Sequence, residues 1–107
     1  MILAAIVVTY NRLAPLKITL DRLLSEATDH IIVVNNASTD DTAIWLDSQT
    51  DARLHVINLE TNTGGAGGFE TGMKYARDTL DPDWVVLMDD DARPAPGALA
   101  CFARETI

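Results

Sequence analysis

One hundred and seven residues, nearly half of them apolar, suffice for one domain with a modest core. Sixteen acidic side chains against eight basic ones give a formal net charge of -8. That excludes a nucleic-acid partner and a polybasic membrane patch, which both need a basic face.

Ile2-Leu3-Ala4-Ala5-Ile6-Val7-Val8 is apolar throughout and rich in β-branched residues, so it predicts a first strand. It is too short for a membrane span, and Met1 to Val8 lacks the basic flank of a signal peptide. Thr9-Tyr10-Asn11-Arg12 ends it. Leu13, Leu16, Leu20, Leu23, Leu24 and Ala27 then recur at helical spacing, with Pro15 in the tolerant first turn. Ile31-Ile32-Val33-Val34 predicts strand two. It runs into the polar turn Asn35 to Thr42, where Ser38 or Thr39 would cap a short helix carrying Ile44, Trp45 and Leu46. Leu54 to Leu59 predicts strand three. Five of six glycines fall between positions 64 and 72, and Asn62 to Gly68 reads as a loop. Phe69, Met73, Ala76 and Leu80 step along a helix that Asp81-Pro82-Asp83 breaks. Trp84 to Met88 predicts a fourth strand, buried on both faces, that delivers Asp89-Asp90-Asp91. A last helix from Pro96 would carry Leu99, Phe102 and Ala103. Cys101, the lone cysteine, would be a helix-core thiol, in keeping with a reducing compartment.

Apolar strands alternating with helices predict a single α/β domain over residues 1–107, with a mostly parallel, Rossmann-like sheet covered on both faces. In such sheets ligands bind beyond the carboxyl ends of the strands, where strand order reverses. All the unusual polar material follows a strand: Thr9 to Arg12, Asn35 to Asp41, Asn62 to Gly68 and Asp89 to Asp91. Three adjacent carboxylates at the end of a buried strand call for a cation, and carboxylate oxygens suit Mg²⁺ or Mn²⁺. Strand alternation would aim Asp89 and Asp91 at one site and Asp90 elsewhere. A cation beside a base-sized slot suggests a nucleoside diphosphate. Asn35 has the hydrogen-bonding groups for a pyrimidine edge, Tyr10 could pack on a base, and Arg12 could neutralise a phosphate. The glycine stretch is neither a Walker loop nor a dinucleotide fingerprint. His30 and His55 have no partner motif and read as structural. No serine or cysteine hydrolase arrangement is evident.

Together, Ala5 to Arg12, Val33 to Asp40, Asn62 to Phe69 and Met88 to Asp91 resemble a family-2 glycosyltransferase of the GT-A fold, across essentially the whole chain. The glycine-rich version looks like bacterial rhamnosyl- and galactofuranosyltransferases of cell-envelope polysaccharide synthesis. The resemblance implies a nucleotide and donor site of Thr9, Tyr10, Arg12, Asn35, Asn62, Gly65, Gly67, Asp89 and Asp90. It implies Mn²⁺ or Mg²⁺ on Asp89 and Asp91, the first and third positions of a DXD motif. It implies a UDP- or dTDP-linked sugar and a carbohydrate or lipid-linked carbohydrate acceptor, with inversion. The place of action would be the cytoplasm, at the inner face of the membrane in a longer protein. Two departures stand out. Asn35 replaces the Asp usual in the family. The acceptor half and its general base have no counterpart here, so the stretch would be the N-terminal part of a longer enzyme. A sugar-phosphate nucleotidylyltransferase would carry a glycine-rich basic loop after strand one, and Thr9 to Arg12 has no glycine. A non-catalytic metal- or nucleotide-binding regulatory domain of receiver type would want acidic residues after strand one.

Overall fold

The computed structural model describes residues 2–26 and 28–92. Ala27, the helix expected from Pro96 and Cys101 lie outside the described residues. Four strands form one sheet in the order β3-β2-β1-β4: β1 is Leu3–Thr9, β2 His30–Asn35, β3 Leu54–Asn58 and β4 Trp84–Asp89. All neighbouring pairs are parallel, with Ile6 opposite Ile32 on one side and Leu87 on the other. The chain walks outward from β1 to β3 and returns to β4 on the far side of β1. Strand order therefore reverses between β1 and β4, and the ligand crevice expected of such sheets lies beyond their carboxyl ends.

Helix α1 (Leu13–Leu24) buries Leu16, Leu20 and Leu23, and α2 (Thr42–Asp47) buries Leu46. Both cover the face made by Leu3, Ala5, Val7, Ile31 and Val33. Helix α3 (Gly64–Tyr75) covers the opposite face, where Ile6, Ile32 and Val34 meet Ala76, with Phe69 and Tyr75 packed beside them. A fully buried aliphatic side chain contributes roughly 1.5–3 kcal/mol, so these two layers carry most of the fold's stability.

Helix α3 begins five residues earlier than the periodicity predicts, and most of the glycine stretch is helical rather than loop. The reason is packing. A Cβ on Gly72 would lie 2.6 Å from Ile6 Cγ2, and one on Gly68 2.6 Å from Val8 Cγ1. Glycines let this helix settle closer to the sheet than side chains would allow. A π-helical turn, Ala76–Leu80, follows, and Asp81, at φ 47°, closes it by donating its N–H to the Ala76 carbonyl at 2.7 Å.

β4 also departs from expectation. Trp84, Val85 and Leu87 are each more than a third exposed. An unbroken apolar run predicts burial on both faces, but among the described residues β4 borders β1 alone and stands at the sheet's edge. At the other end of the sheet, Arg53 pairs with Asp51 and donates to the carbonyls of Leu24, Glu26 and Thr28, closing the end of α1.

Candidate functional site

Register places Thr9 opposite Asn35, and Asn35 opposite Asn58, so three polar residues end three strands in a row. Val8 lies opposite Asp89, which brings the acidic segment beside the end of β1.

Asp89 is the last residue of β4, and the Ala92 N–H donates to its carbonyl at 3.1 Å, so Asp90 and Asp91 sit in a tight turn rather than on an extended strand. The turn, not strand alternation, sets their directions. Asp90 is turned inward and only 6% exposed. It accepts from the Thr9 hydroxyl at 3.0 Å and lies 3.5 Å from Arg12 Nε. Asp91 is half exposed and meets the same guanidinium at 3.2 Å. Asp89 is exposed. The Thr19 hydroxyl, on the buried face of α1, lies 2.8 Å from the Asp90 carbonyl and 2.7 Å from that of Ala92. Its single proton is shared between them, which ties the turn to the helix.

The other loops are joined by amides. Asn11 adopts φ 50°, a left-handed conformation that asparagine tolerates. Its N–H donates to the Ser38 hydroxyl at 3.0 Å, and its Oδ1 accepts from the Thr39 N–H at 2.7 Å and the Asp40 N–H at 3.3 Å. Ser38 and Thr39 therefore serve Asn11 and do not cap α2. That helix begins at Thr42, whose N–H donates to Asp40 at 3.0 Å. The Thr42 hydroxyl donates to the same carboxylate and is the main cause holding Asp40 below its usual pKa.

Asn36 is 2% exposed and joins the ends of β1 and β2 to the start of α3. Its backbone N–H donates to the Thr9 carbonyl at 2.9 Å, its Oδ1 accepts from the Thr63 N–H at 2.9 Å, and its Nδ2 donates to the Gly64 carbonyl at 2.9 Å. Asn35, 3% exposed, donates to Asn58 Oδ1 at 3.0 Å and accepts from the Ser38 N–H at 3.2 Å. Ala37 takes φ 63° between this pair and Ser38, an uncommon conformation for a residue with a side chain.

Of the residues singled out from sequence, Thr9, Arg12, Asp90 and Asp91 are in direct contact. Asp89 stands beside them at the end of β4. Asn35 lies in the adjacent strand end, with its amide engaged by protein groups. Tyr10 is 44% exposed at the rim. Asn62 accepts from the Gly64 N–H at 2.8 Å and so shapes the entry to α3. Gly65 faces open space, while a Cβ on Gly67 would lie 2.7 Å from Thr63 Cβ. Sequence reasoning did not single out Asn11, Asn36, Asn58 or Thr19. Thr19 carried a signal: it is a polar residue on the apolar stripe of α1, three residues after Leu16.

The arrangement is a crevice whose floor is a neutral, internally bonded amide network and whose wall is an acidic turn half neutralised by one arginine. The first N–H groups of α3 open at the same edge, and such groups have no partner within their helix.

The family model described as glycosyl transferase family 2 matches residues 4–105. A galactofuranosyltransferase, GlfT1, of Mycolicibacterium smegmatis is 38% identical over 96 residues, which cover 88% of this chain and 31% of that protein. The structure of S. aureus TarS 1-349 in complex with UDP-GlcNAc matches with a TM-score of 0.82 at 27% identity, over 97% of this chain and 30% of that one. The mannosyltransferase PcManGT of Pyrobaculum calidifontis, in complex with GDP-Man and Mn²⁺, matches with a TM-score of 0.76 at 28% identity, over 92% of this chain and 30% of that one. The chain thus spans about a third of the length of the proteins it matches.

Proposed function

The chain belongs to glycosyl transferase family 2, and from that membership we propose that it is the donor-binding portion of a transferase. The complete enzyme would move a sugar from a nucleoside diphosphate to an acceptor hydroxyl, with inversion, in cell-envelope polysaccharide synthesis. The acceptor would be a carbohydrate or lipid-linked carbohydrate, met in the cytoplasm at the inner face of the membrane. The observation that carries the reading is the acidic turn at the reversal of strand order, with Asp90 locked to Thr9 and Arg12 while Asp89 and Asp91 remain exposed.

A divalent cation fits this donor set in part. Carboxylate oxygens suit Mg²⁺ and Mn²⁺. Among the described residues no three acidic, histidine or cysteine side chains are grouped to hold a metal. Asp89 and Asp91 would therefore be the protein's ligands, and phosphate oxygens of the donor would complete the shell. The cation would neutralise the diphosphate and, as a Lewis acid, favour its departure. The relative bound to GDP-Man and Mn²⁺ supports this choice.

The chain's own residues divide the remaining work. Arg12, half exposed, faces both the acidic turn and an incoming phosphate. Tyr10 at the rim would pack on the base. Asn35 gives one of its two amide N–H groups to Asn58 and keeps one lone pair on Oδ1. That acceptor suits an imide N–H and favours a UDP- or dTDP-linked donor. The entry to α3 from Asn62 through Gly65 and Gly67 would approach the diphosphate with backbone N–H groups.

Calorimetric titration with UDP, dTDP and GDP, each with and without Mn²⁺, tests the reading. Metal-dependent binding of a uridine or thymidine diphosphate is expected, with loss in Asp91→Ala. Diphosphate binding that ignores both the metal and this substitution would overturn the assignment of the turn.

A further inference from the structure

The end of the sheet away from the crevice holds a second cluster of chemistry-bearing side chains. His30 opens β2, and His55 lies on the neighbouring strand β3. His55 pairs in register with Ile32, so the two histidines are diagonal neighbours on one face, the face covered by α3. His30 Nδ1 and His55 Nε2 are 3.1 Å apart, with rings tilted at 54° and centroids separated by 5.1 Å. On the far side of the His55 ring, Nδ1 lies 3.0 Å from the Tyr75 hydroxyl, at the end of α3. The cluster is only partly buried, so solvent and small ions reach it. His30 stands five strand positions from Asn35. At about 3.3 Å per residue, that is roughly 16 Å from the amide network of the crevice.

We propose that His30 Nδ1 and His55 Nε2 chelate one borderline transition-metal ion, Zn²⁺, Ni²⁺ or Cu²⁺, with Tyr75 as the outer-sphere partner that orients His55. The geometry is nearly formed. Two imidazole nitrogens on a tetrahedral ion, each at about 2.0–2.1 Å, stand about 3.3–3.4 Å from one another. Opening the pair by a few tenths of an ångström and turning the rings aims both lone pairs at the ion, which replaces the hydrogen bond between them. The proton of that bond moves to the other nitrogen of its own ring. Ligation at Nε2 places the remaining proton of His55 on Nδ1, where it donates to the Tyr75 oxygen. An outer partner of this kind fixes the tautomer and ring direction of a metal-bound histidine. Burial and the neighbouring His30 also hold His55 toward its neutral form, the form that binds a metal. Imidazole selects these ions over Mg²⁺ and Mn²⁺, so the two ends of the sheet would sort cations by hardness.

The test uses the untagged 107-residue chain and Zn²⁺ alone. One Zn²⁺ per chain should bind saturably in calorimetry, and the ¹⁵N resonances of His30 Nδ1 and His55 Nε2 should shift together in NMR spectra. His55→Gln and His30→Gln should each weaken binding at least tenfold, and Tyr75→Phe by a smaller factor. The double variant Asp89→Asn, Asp91→Asn should keep the site intact. If a histidine variant does not fold, the paired imidazole shifts in the unsubstituted chain decide the matter. No saturable binding up to about 1 mM, unmoved imidazole resonances, or an affinity that follows the aspartates instead of the histidines would overturn the proposal.

Discussion

The loops after β2 and β3 and the turn after β4 face the same crevice but are held in opposite ways. The first two are fastened by neutral groups. Asn36 alone bonds to Thr9, Thr63 and Gly64, and Asn35 closes onto Asn58 and Ser38. These bonds are short-range and internally satisfied, so they hold without a ligand. The acidic turn is fastened by charge and by two threonine hydroxyls. Among the described residues one half-exposed arginine faces two carboxylates there, and Asp89 is exposed. A preformed floor and a charged wall divide the labour on the proposed reading: the floor would position the donor, and the wall would take a cation.

The contrast breaks most visibly at Asn36. Asn36→Ala empties a buried position and removes the partners of the Thr63 N–H and the Gly64 carbonyl, two part-buried bonds worth about 0.5–1.5 kcal/mol each. A loss of roughly 2–3 kcal/mol in urea denaturation is expected, with donor affinity falling alongside it. An unchanged urea midpoint would show that the floor is not what holds these loops. Gly72→Ala should follow in size. Its new methyl meets Ile6 Cγ2 at 2.6 Å, and overpacking of this kind costs about 1–3 kcal/mol. Helix propensity returns roughly 1 kcal/mol of that, so the net loss is smaller than at Asn36. A stabilised Gly72→Ala chain would mean that α3 tolerates lifting off the sheet.

On the acidic wall the order of effects inverts. Asp89→Asn removes an exposed charge from a crowded turn, so stability should move by no more than about 0.5 kcal/mol. Mn²⁺-dependent diphosphate binding should nevertheless fall at least tenfold. A variant that loses stability but keeps its metal-dependent binding would erase the distinction between floor and wall.

Much of this was legible in the residues. The strand and helix order, the burial of β1 and β2, and the gathering of polar segments at one sheet edge follow from apolar runs and the parallel-sheet rule. Three things did not follow. Periodicity started α3 at Phe69, because glycine's poor helix propensity hid a segment that tertiary packing makes helical. β4 looked fully buried, since an apolar run does not reveal that its strand will stand at an edge. The roles of Asn11 and Asn36 were invisible because an asparagine after a strand looks the same whether its amide turns inward or out. The four contacts that matter most at the turn, from Thr9, Thr19 and Arg12, join residues more than 70 positions apart.

The smallest expected effect belongs to the far end of the sheet and concerns acid. Burial, followed by the charge of His30, lowers the pKa of His55 from its ordinary 6.5. The folded chain thus binds its proton less readily than the unfolded chain does. Stability from this source is complete above about pH 6.5 and declines as pH falls toward the lowered folded value. Asp40, whose folded pKa is also lowered, adds a separate loss only as pH falls toward and below the ordinary carboxylate value of 3.8. Urea midpoints at pH 7.5 and 5.5 therefore isolate the histidine. The unsubstituted chain should weaken between them, and His55→Gln should weaken less. Equal slopes would assign the acid sensitivity elsewhere, while the loops of the crevice, fastened by groups that do not titrate in this range, should keep their hydrogen-exchange protection at both values.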